Sequence, residues 1–391
     1  MFMNKEIIIL GSTGSIGTTT LSVIKKDNFK IRLLSSYKNA KKLLNQAILY
    51  KVKDVIIEDE IQYRKYKILF KKNKIRIHLG LVNLKKIFKK RVDYCINSIS
   101  GIDGLIPTLD IIPFTQNILI ANKESIICGW HLIKKKLIKY KTNFIPIDSE
   151  HFSIWKLIKN DNYSDINKII LTASGGPFLN KSINKIKNIK PKMALKHPNW
   201  RMGRKISIDS STMMNKVFEF IEAIKIFNIK KKNLEILIHP SSYVHAIVLY
   251  QGNLIKFLAH EPKMSIPIAN ALGLKNRQIK FLNEKKIINL NKLTFEMPDT
   301  KKFPVLSIID SIPERTSYFE TILITINDTL VNKYLNNQIN YISIQKNLLN
   351  IIKNPYFKKY YKLKPKNIYD IKKMIIHTKN YLNKNIIYYD K

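Results

Sequence analysis

Along the first 150 residues, short β-branched and aliphatic runs alternate with longer amphipathic stretches. The runs are Glu6 to Leu10, Ile31 to Ser35, Asp54 to Ile57, Tyr94 to Ile99, Ile118 to Ala121 and Asn143 to Ile147. Strands that alternate with amphipathic helices predict a parallel sheet built from βαβ units, an α/β arrangement. From about residue 150 to 275 the pattern changes. Leu234 to Ile238, Tyr243 to Tyr250 and Leu254 to Leu258 read as strands, the last two joined at a Gln251-Gly252 turn, and Met213 to Phe227 has helical spacing. This part reads as a mixed α+β domain. Residues from about 276 are polar, with a closing Pro298, and read as a linker; from 303 onward the periodicity is largely helical. The chain shows no internal repeat.

Composition narrows the class. Lys and Arg number 69 against 28 Asp and Glu, a net charge of +41, which alone raises nucleic acid or an anionic membrane as a partner. The charge is not clustered. Short runs such as Lys134 to Lys136 and Lys230 to Lys232 recur along the whole chain among many Ile, Asn and Tyr. That mixture reads as codon bias acting on tolerant surface positions, so no nucleic-acid partner is expected, and a basic nucleic-acid-binding protein is the alternative outside enzymes. The charge suits an anionic substrate. Cys95 and Cys128 form no CxxC pair, so both read as small core residues of a reducing compartment. A strand-like run begins at Lys5, leaving no room for a signal peptide, and no stretch reaches about 18 consecutive apolar residues. A soluble cytoplasmic location with no membrane partner is expected.

Candidate chemistry starts at Gly11-x-x-Gly14-x-x-Gly17, which follows a buried-strand pattern and opens a helix. In that context glycine lets backbone approach a pyrophosphate lying on the helix N-terminus; the alternative is a tight turn without ligand. The second strand runs into Ser35-Ser-Tyr-Lys-Asn39, with a lysine where a site specific for NAD would carry an acid on the ribose. The lysine favours a 2′-phosphate, hence NADPH.

Asp148 and Glu150 stand two apart at the end of a strand pattern, so in extended chain both side chains point to one side. Two such carboxylates repel unless a hard divalent cation sits between them; the alternative is an N-cap followed by a solvated acid. On the helix near Met213, Asn215, Lys216 and Glu219 share one face, offering a metal ligand beside an amide and an ammonium. Ser174, Ser210, Asn215 and Lys216 have the donors to surround a phosphate. The string His197-Pro-Asn-Trp-Arg-Met-Gly203 has the make-up of a loop that closes over a substrate, or of a surface loop with a buried Trp200.

Gly11 to Gly17, Ala121 to Ser125, Asp148 to His151, Ser174 to Phe178, His197 to Lys216 and His239-Pro-Ser-Ser242 resemble the strings of the 1-deoxy-D-xylulose 5-phosphate reductoisomerase family, in the same order and over nearly the whole chain. The resemblance implies an N-terminal Rossmann-like domain over 1–147 and a catalytic, metal-binding and dimerising domain over 148–275. A linker over 276–302 and a C-terminal helical bundle over 303–391 would follow. It implies a homodimer, NADPH, a divalent cation (Mg2+, Mn2+ or Co2+) and a phosphorylated ketose rearranged and reduced to 2-C-methyl-D-erythritol 4-phosphate.

The resemblance also implies roles. Thr13, Gly14, Ser15 and Ile16 would line the cofactor pyrophosphate, Lys38 and Asn39 the 2′-phosphate, with Asn122, Glu124 and Gly203 as further cofactor contacts. Lys123 would reach the substrate, and Asp148, Glu150 and Glu219 would hold the cation, with Glu150 and Glu219 also facing substrate. Ser149 would meet a substrate hydroxyl, and Ser174, Ser210, Asn215 and Lys216 the phosphate end. His197, Trp200 and Met202 would belong to the closing loop. The chain departs from the family pattern at Tyr37, at Arg201 and in Leu323-Ile-Thr-Ile-Asn-Asp328. The competing enzyme reading is another NADP-dependent dehydrogenase, acting on a semialdehyde or homoserine.

Overall fold

The computed structural model describes residues 5–24, 29–81, 84–186, 189–196, 198–200, 202–274 and 293–385. Its contacts divide the chain into two compact units, one of residues 1–126, 130–152 and 263–280, the other of 127–129, 153–262 and 281–391.

The first unit is built on seven strands: β1 (Lys5–Leu10), β2 (Phe29–Ser36), β3 (Asp54–Ile57), β4 (Arg76–Leu79), β5 (Val92–Asn97), β6 (Thr115–Ile120) and β7 (Asn143–Pro146). They lie in the order β4-β3-β2-β1-β5-β6-β7, and every described pairing is parallel. Ile7, Ile8, Ile9 and Leu10 have no solvent exposure, as expected where helices cover both faces of a parallel sheet. The chain runs outward in both directions from β1. Strand order therefore reverses between β1 and β5, which opens a crevice beyond their carboxyl ends. The sequence reading missed β4, a half-exposed edge strand written Arg-Ile-His-Leu. It also carried β5 too far: Asn97 Oδ1 accepts the Ile99 amide at 3.1 Å and turns the chain out of the sheet.

The second unit holds β8 (Ile166–Ala173), β9 (Leu234–Ile238), β10 (Val244–Tyr250) and β11 (Ile255–Ala259) in the order β11-β10-β8-β9. β8 and β9 are parallel; the other pairs are antiparallel. β8 was absent from the expected strands. The helices Arg204–Ser211 and Met214–Phe227 lead, later in the chain, to Phe319–Leu335, Tyr341–Ile352 and Ile368–Asn385. Phe178, Phe218, Phe319, Tyr334, Tyr341 and Phe357 are fully buried here. Most of the expected linker lies outside the described residues; its described part includes Glu296, bridged antiparallel to Ile238. Phe319–Leu335 is buried around most of its circumference, including Glu320, Thr321, Thr325 and Asn327. Polar groups so placed need hydrogen-bond partners.

Candidate active site

In the first unit the glycine loop caps β1. Gly11 has φ +74°, and a side chain on it would meet the Ser98 carbonyl oxygen at 2.9 Å; one on Gly17 would lie 2.5 Å from the Gly11 oxygen. Both glycines are therefore demanded by the turn and by helix packing. Gly14 is different: a Cβ there would approach only the Gly11 oxygen, at 3.4 Å. The fold does not force that glycine, and an exposed Cβ-free surface at a helix start is what a pyrophosphate requires. Thr13 Oγ1 pairs with Ser36 Oγ at 2.8 Å, and Lys42 Nζ donates to the Thr13 carbonyl at 2.8 Å and to Thr18 Oγ1 at 3.0 Å. Ser15 and Ile16 begin the helix Ser15–Ile24. Lys38 and Asn39 are exposed after β2, and Asn39 caps the helix Ala40–Leu49 through the Lys42 amide. Lys42, a cation tied to the loop, was missed by sequence reading because its partners are 24 and 29 residues away.

Helix Lys123–Tyr140 starts at the end of β6. Asn122 is its N-cap, accepting the Ser125 amide at 2.7 Å, and its Nδ2 donates to the carbonyls of Ile99 and Gly101. Lys123 and Glu124 follow in the first turn, both buried. Lys123 Nζ lies 3.1 Å from Asp148 Oδ2.

Asp148 lies two residues beyond β7, and the helix Ser149–Ile158 begins at the next residue. The expected extended Asp-x-Glu geometry is thus corrected: Asp148 receives the Phe152 amide on its main-chain carbonyl, and Glu150 sits in the first helical turn. The chain turns because the Asp148 carboxylate accepts the Ser149 amide at 3.1 Å, a local bond that competes with the strand. The two acids still converge, with ligand oxygens of Asp148 and Glu150 within 4.8 Å of each other. Ser149 Oγ donates to Glu150 Oε2 at 2.5 Å. Burial works to raise the Asp148 carboxyl, but the Lys123 ammonium and then His151, whose Nδ1 is 3.7 Å away, outweigh it and hold the group well below the usual carboxylate range. His151, fully buried, was given no role by the sequence reading. The donors are all oxygen, which fits a hard divalent cation and disfavours a soft one.

The second unit carries the other candidate residues. β8 ends in Ser174-Gly175-Gly176, where both glycines have positive φ and Ser174 Oγ accepts the Gly176 amide at 3.1 Å. Gly203 caps the helix Arg204–Ser211, and among the described residues nothing lies within 4 Å of where its Cβ would stand. Ser210 lies in the last turn of that helix. Met213 then adopts a left-handed conformation (φ 66°) and starts Met214–Phe227. On that helix Asn215 Nδ2 and Lys216 Nζ both donate to the Glu219 carboxylate, as the shared face predicted. Lys216 and Glu219 are 4 % and 1 % exposed. A buried ion pair of this kind costs desolvation and is weak evidence for stability; it preorganises charge.

His197 and Arg201 of the expected loop lie outside the described residues. Asn199 Nδ2 donates to the Pro240 carbonyl at 2.7 Å and to Ser242 Oγ at 3.0 Å. The Trp200 ring stands edge-on to His245 at 6.0 Å, and His245 stacks on His260 at 3.8 Å. Met202 is half-buried. The two histidines were also missed, since nothing in their spacing marks them as neighbours.

Residues 7–129 match the model described as 1-deoxy-D-xylulose 5-phosphate reductoisomerase, 144–227 that of its C-terminal domain, and 260–381 that described as DXP reductoisomerase C-terminal domain. The 1-deoxy-D-xylulose 5-phosphate reductoisomerase of Pelagibacter ubique is 51% identical over 375 residues, covering 95% of this chain and 96% of the relative. That of Wolbachia from Drosophila simulans is 40% identical, covering 87% of this chain and 88% of the relative. Among solved structures, the Zymomonas mobilis enzyme in complex with NADPH is 28% identical with a TM-score of 0.87, covering 98% of this chain and 99% of that one. A reductoisomerase in complex with NADPH, fosmidomycin and magnesium is 30% identical with a TM-score of 0.88, covering 97% and 99%.

Proposed function

Because the chain belongs to the 1-deoxy-D-xylulose 5-phosphate reductoisomerase family, we propose that the residues described above are the working parts of that family's reaction. The enzyme rearranges 1-deoxy-D-xylulose 5-phosphate and reduces it with NADPH to 2-C-methyl-D-erythritol 4-phosphate, with a divalent cation, on the methylerythritol phosphate route to isoprenoid precursors. The observation that carries the site reading is Lys123 Nζ at 3.1 Å from Asp148, beside which Glu150 also converges.

The cation, held by Asp148, Glu150 and Glu219, would supply Lewis acidity to the substrate's carbonyl and hydroxyl oxygens, and NADPH the hydride. Lys123 neutralises Asp148 and would reach the substrate, while Ser149 would meet a substrate hydroxyl. Ser174, Ser210, Asn215 and Lys216 bind the phosphate through charge-assisted hydrogen bonds. The loop carrying His197, Trp200 and Met202 shuts water out, with Gly203 leaving room for the cofactor. Thr13, Gly14, Ser15 and Ile16 take the pyrophosphate, and Lys38 and Asn39 the 2′-phosphate. Glu124 and Asn122 are further cofactor contacts; the Asn122 side chain is spent on the Ser125 amide and on the Ile99 and Gly101 carbonyls, which leaves its main-chain groups for the cofactor. We propose a functional division into a cofactor-binding part over 1–147, a catalytic part over 148–275, a linker over 276–302 and a helical part over 303–391.

We further propose a cytoplasmic homodimer. Cys95 and Cys128 are buried cysteines, and among the described residues no helix is long and apolar enough to cross a membrane. The edge strand β11 and its approach expose Leu254, Ile255 and Phe257, a surface that a second copy would cover.

The reaction is tested by following NADPH oxidation with 1-deoxy-D-xylulose 5-phosphate after chelation and after adding back Mg2+ or Mn2+. Restored oxidation yielding the branched polyol phosphate supports the reading; oxidation indifferent to the chelator removes the acidic set from it.

A further inference from the structure

The buried helix Phe319–Leu335 holds polar side chains that the reaction does not use. Two of them, Asn327 and Asp328, end the segment where the sequence departs from the family pattern. Asn327 is fully buried and donates Nδ2 to Asp209 Oδ1 at 2.7 Å; Asp209 is itself 2 % exposed. Next to it, Lys205 Nζ lies 2.8 Å from Asp328 Oδ1 and 3.7 Å from Asp209 Oδ2. From the following helix, Tyr341 donates its hydroxyl to the Ser211 main-chain carbonyl at 2.6 Å. Its ring packs edge-on against Phe178 at 5.2 Å and against Tyr334 at 5.8 Å. On the other side stands Gly176, whose Cβ, were there one, would be 2.9 Å from the Ser210 carbonyl oxygen.

Residues 209 and 211 are thus each held by a buried hydrogen bond from a C-terminal helix, and Ser210 is backed by a glycine of the Ser174 loop. Stability alone does not call for this. An apolar pair of similar volume would hold two helices together as well as a buried amide and carboxylate; what the hydrogen bonds add is direction.

We propose that Asn327 and Tyr341 are positioning residues: they lock the Asp209–Ser211 turn so that the Ser210 hydroxyl meets the substrate phosphate beside Ser174. The proposal rests on the reading of Ser210 as a phosphate donor, and the experiment separates the two.

Steady-state kinetics of the full-length enzyme would be measured for Ser210→Ala, Asn327→Leu, Tyr341→Phe and the exchange Asp209→Asn with Asn327→Asp. Asn327→Leu and Tyr341→Phe each raise the substrate KM roughly fivefold, the scale of one lost hydrogen bond. The KM for NADPH stays within about twofold, and the exchange, which restores an amide-to-carboxylate bond, recovers most of the loss. Adding Asn327→Leu to Ser210→Ala raises the substrate KM no further, because the clamp then has nothing to aim. If Ser210→Ala raises the substrate KM while Asn327→Leu and Tyr341→Phe lower only the melting temperature, the clamp is overturned and the phosphate reading stands. If Ser210→Ala leaves the substrate KM unchanged, the phosphate reading fails and the proposal with it. Tyr341→Phe removes a single oxygen, so the test survives even if Asn327→Leu does not fold.

Discussion

Among the proposed cation ligands, Glu219 is the most deeply buried. It is almost fully buried, and its carboxylate takes bonds from Asn215 and Lys216 on its own helix. Glu219→Gln keeps the shape, removes a charge, and leaves the Lys216 ammonium without its carboxylate. Turnover should fall by at least about a hundredfold, the scale seen when metal-ligand chemistry is disturbed. NADPH binding, read by fluorescence, should persist; turnover like that of the wild type would remove Glu219 from the site. At this scale the sequence was informative wherever residues act within one turn of helix or one loop, as with Asn215, Lys216 and Glu219. It was silent where partners are distant. Nothing in a single chain pairs Asn327 with Asp209, 118 residues earlier, or Lys42 with Thr13.

Between elements, β3 and β4 are joined by more than main-chain bonds. Asp54 accepts Arg76 Nε at 2.8 Å and Nη2 at 2.6 Å, and lies 3.0 Å from His78 Nε2. Burial raises the Asp54 carboxyl, but the bonds to His78 and Arg76 outweigh it and lower the group from 3.8 to about 2. A carboxyl depressed in the folded state adds stability once pH exceeds its unfolded value, and that stability is lost as pH falls through the folded one. The loss therefore spans roughly pH 4 to 2. Arg76 is 70% exposed, so solvent screening reduces the contribution to about 1 kcal/mol. Urea unfolding of wild type and Asp54→Asn should differ by that amount at pH 7 and converge near pH 2; a difference independent of pH would assign the effect to packing. The same strands explain what could be read of the elements. Continuous apolar runs such as Ile7–Leu10 declare a buried parallel strand, whereas β4 offers Arg and His whose partner Asp54 is known only once the strands are paired. Asp148 shows the opposite failure: the strand before it was read one residue too long, to Ile147, because the local bond from the Ser149 amide to the Asp148 carboxylate wins over extension.

At the level of the whole molecule, the α/β plan was legible because βαβ alternation leaves little choice of topology, and the order of strings from Gly11 to Lys216 disclosed the family. Oligomeric state was not written in periodicity. Exposed apolar side chains on an edge strand are a liability in a free monomer, and Ile255 and Phe257 are 59% and 49% exposed. Phe257→Lys should shift the sedimentation profile toward the monomer at micromolar concentration. A wild-type protein that already sediments as a monomer would refute the dimer. The ion pair between Lys123 and Asp148 has a wider meaning. The chain brings its own positive charge to the acidic pocket, so the mutual repulsion of its carboxylates is answered before any ion arrives, and folding need not wait for metal as it does in a zinc finger. A cell starved of magnesium or manganese would then carry this enzyme as an intact but idle stock, and restore isoprenoid supply as soon as ions return, without making the protein anew.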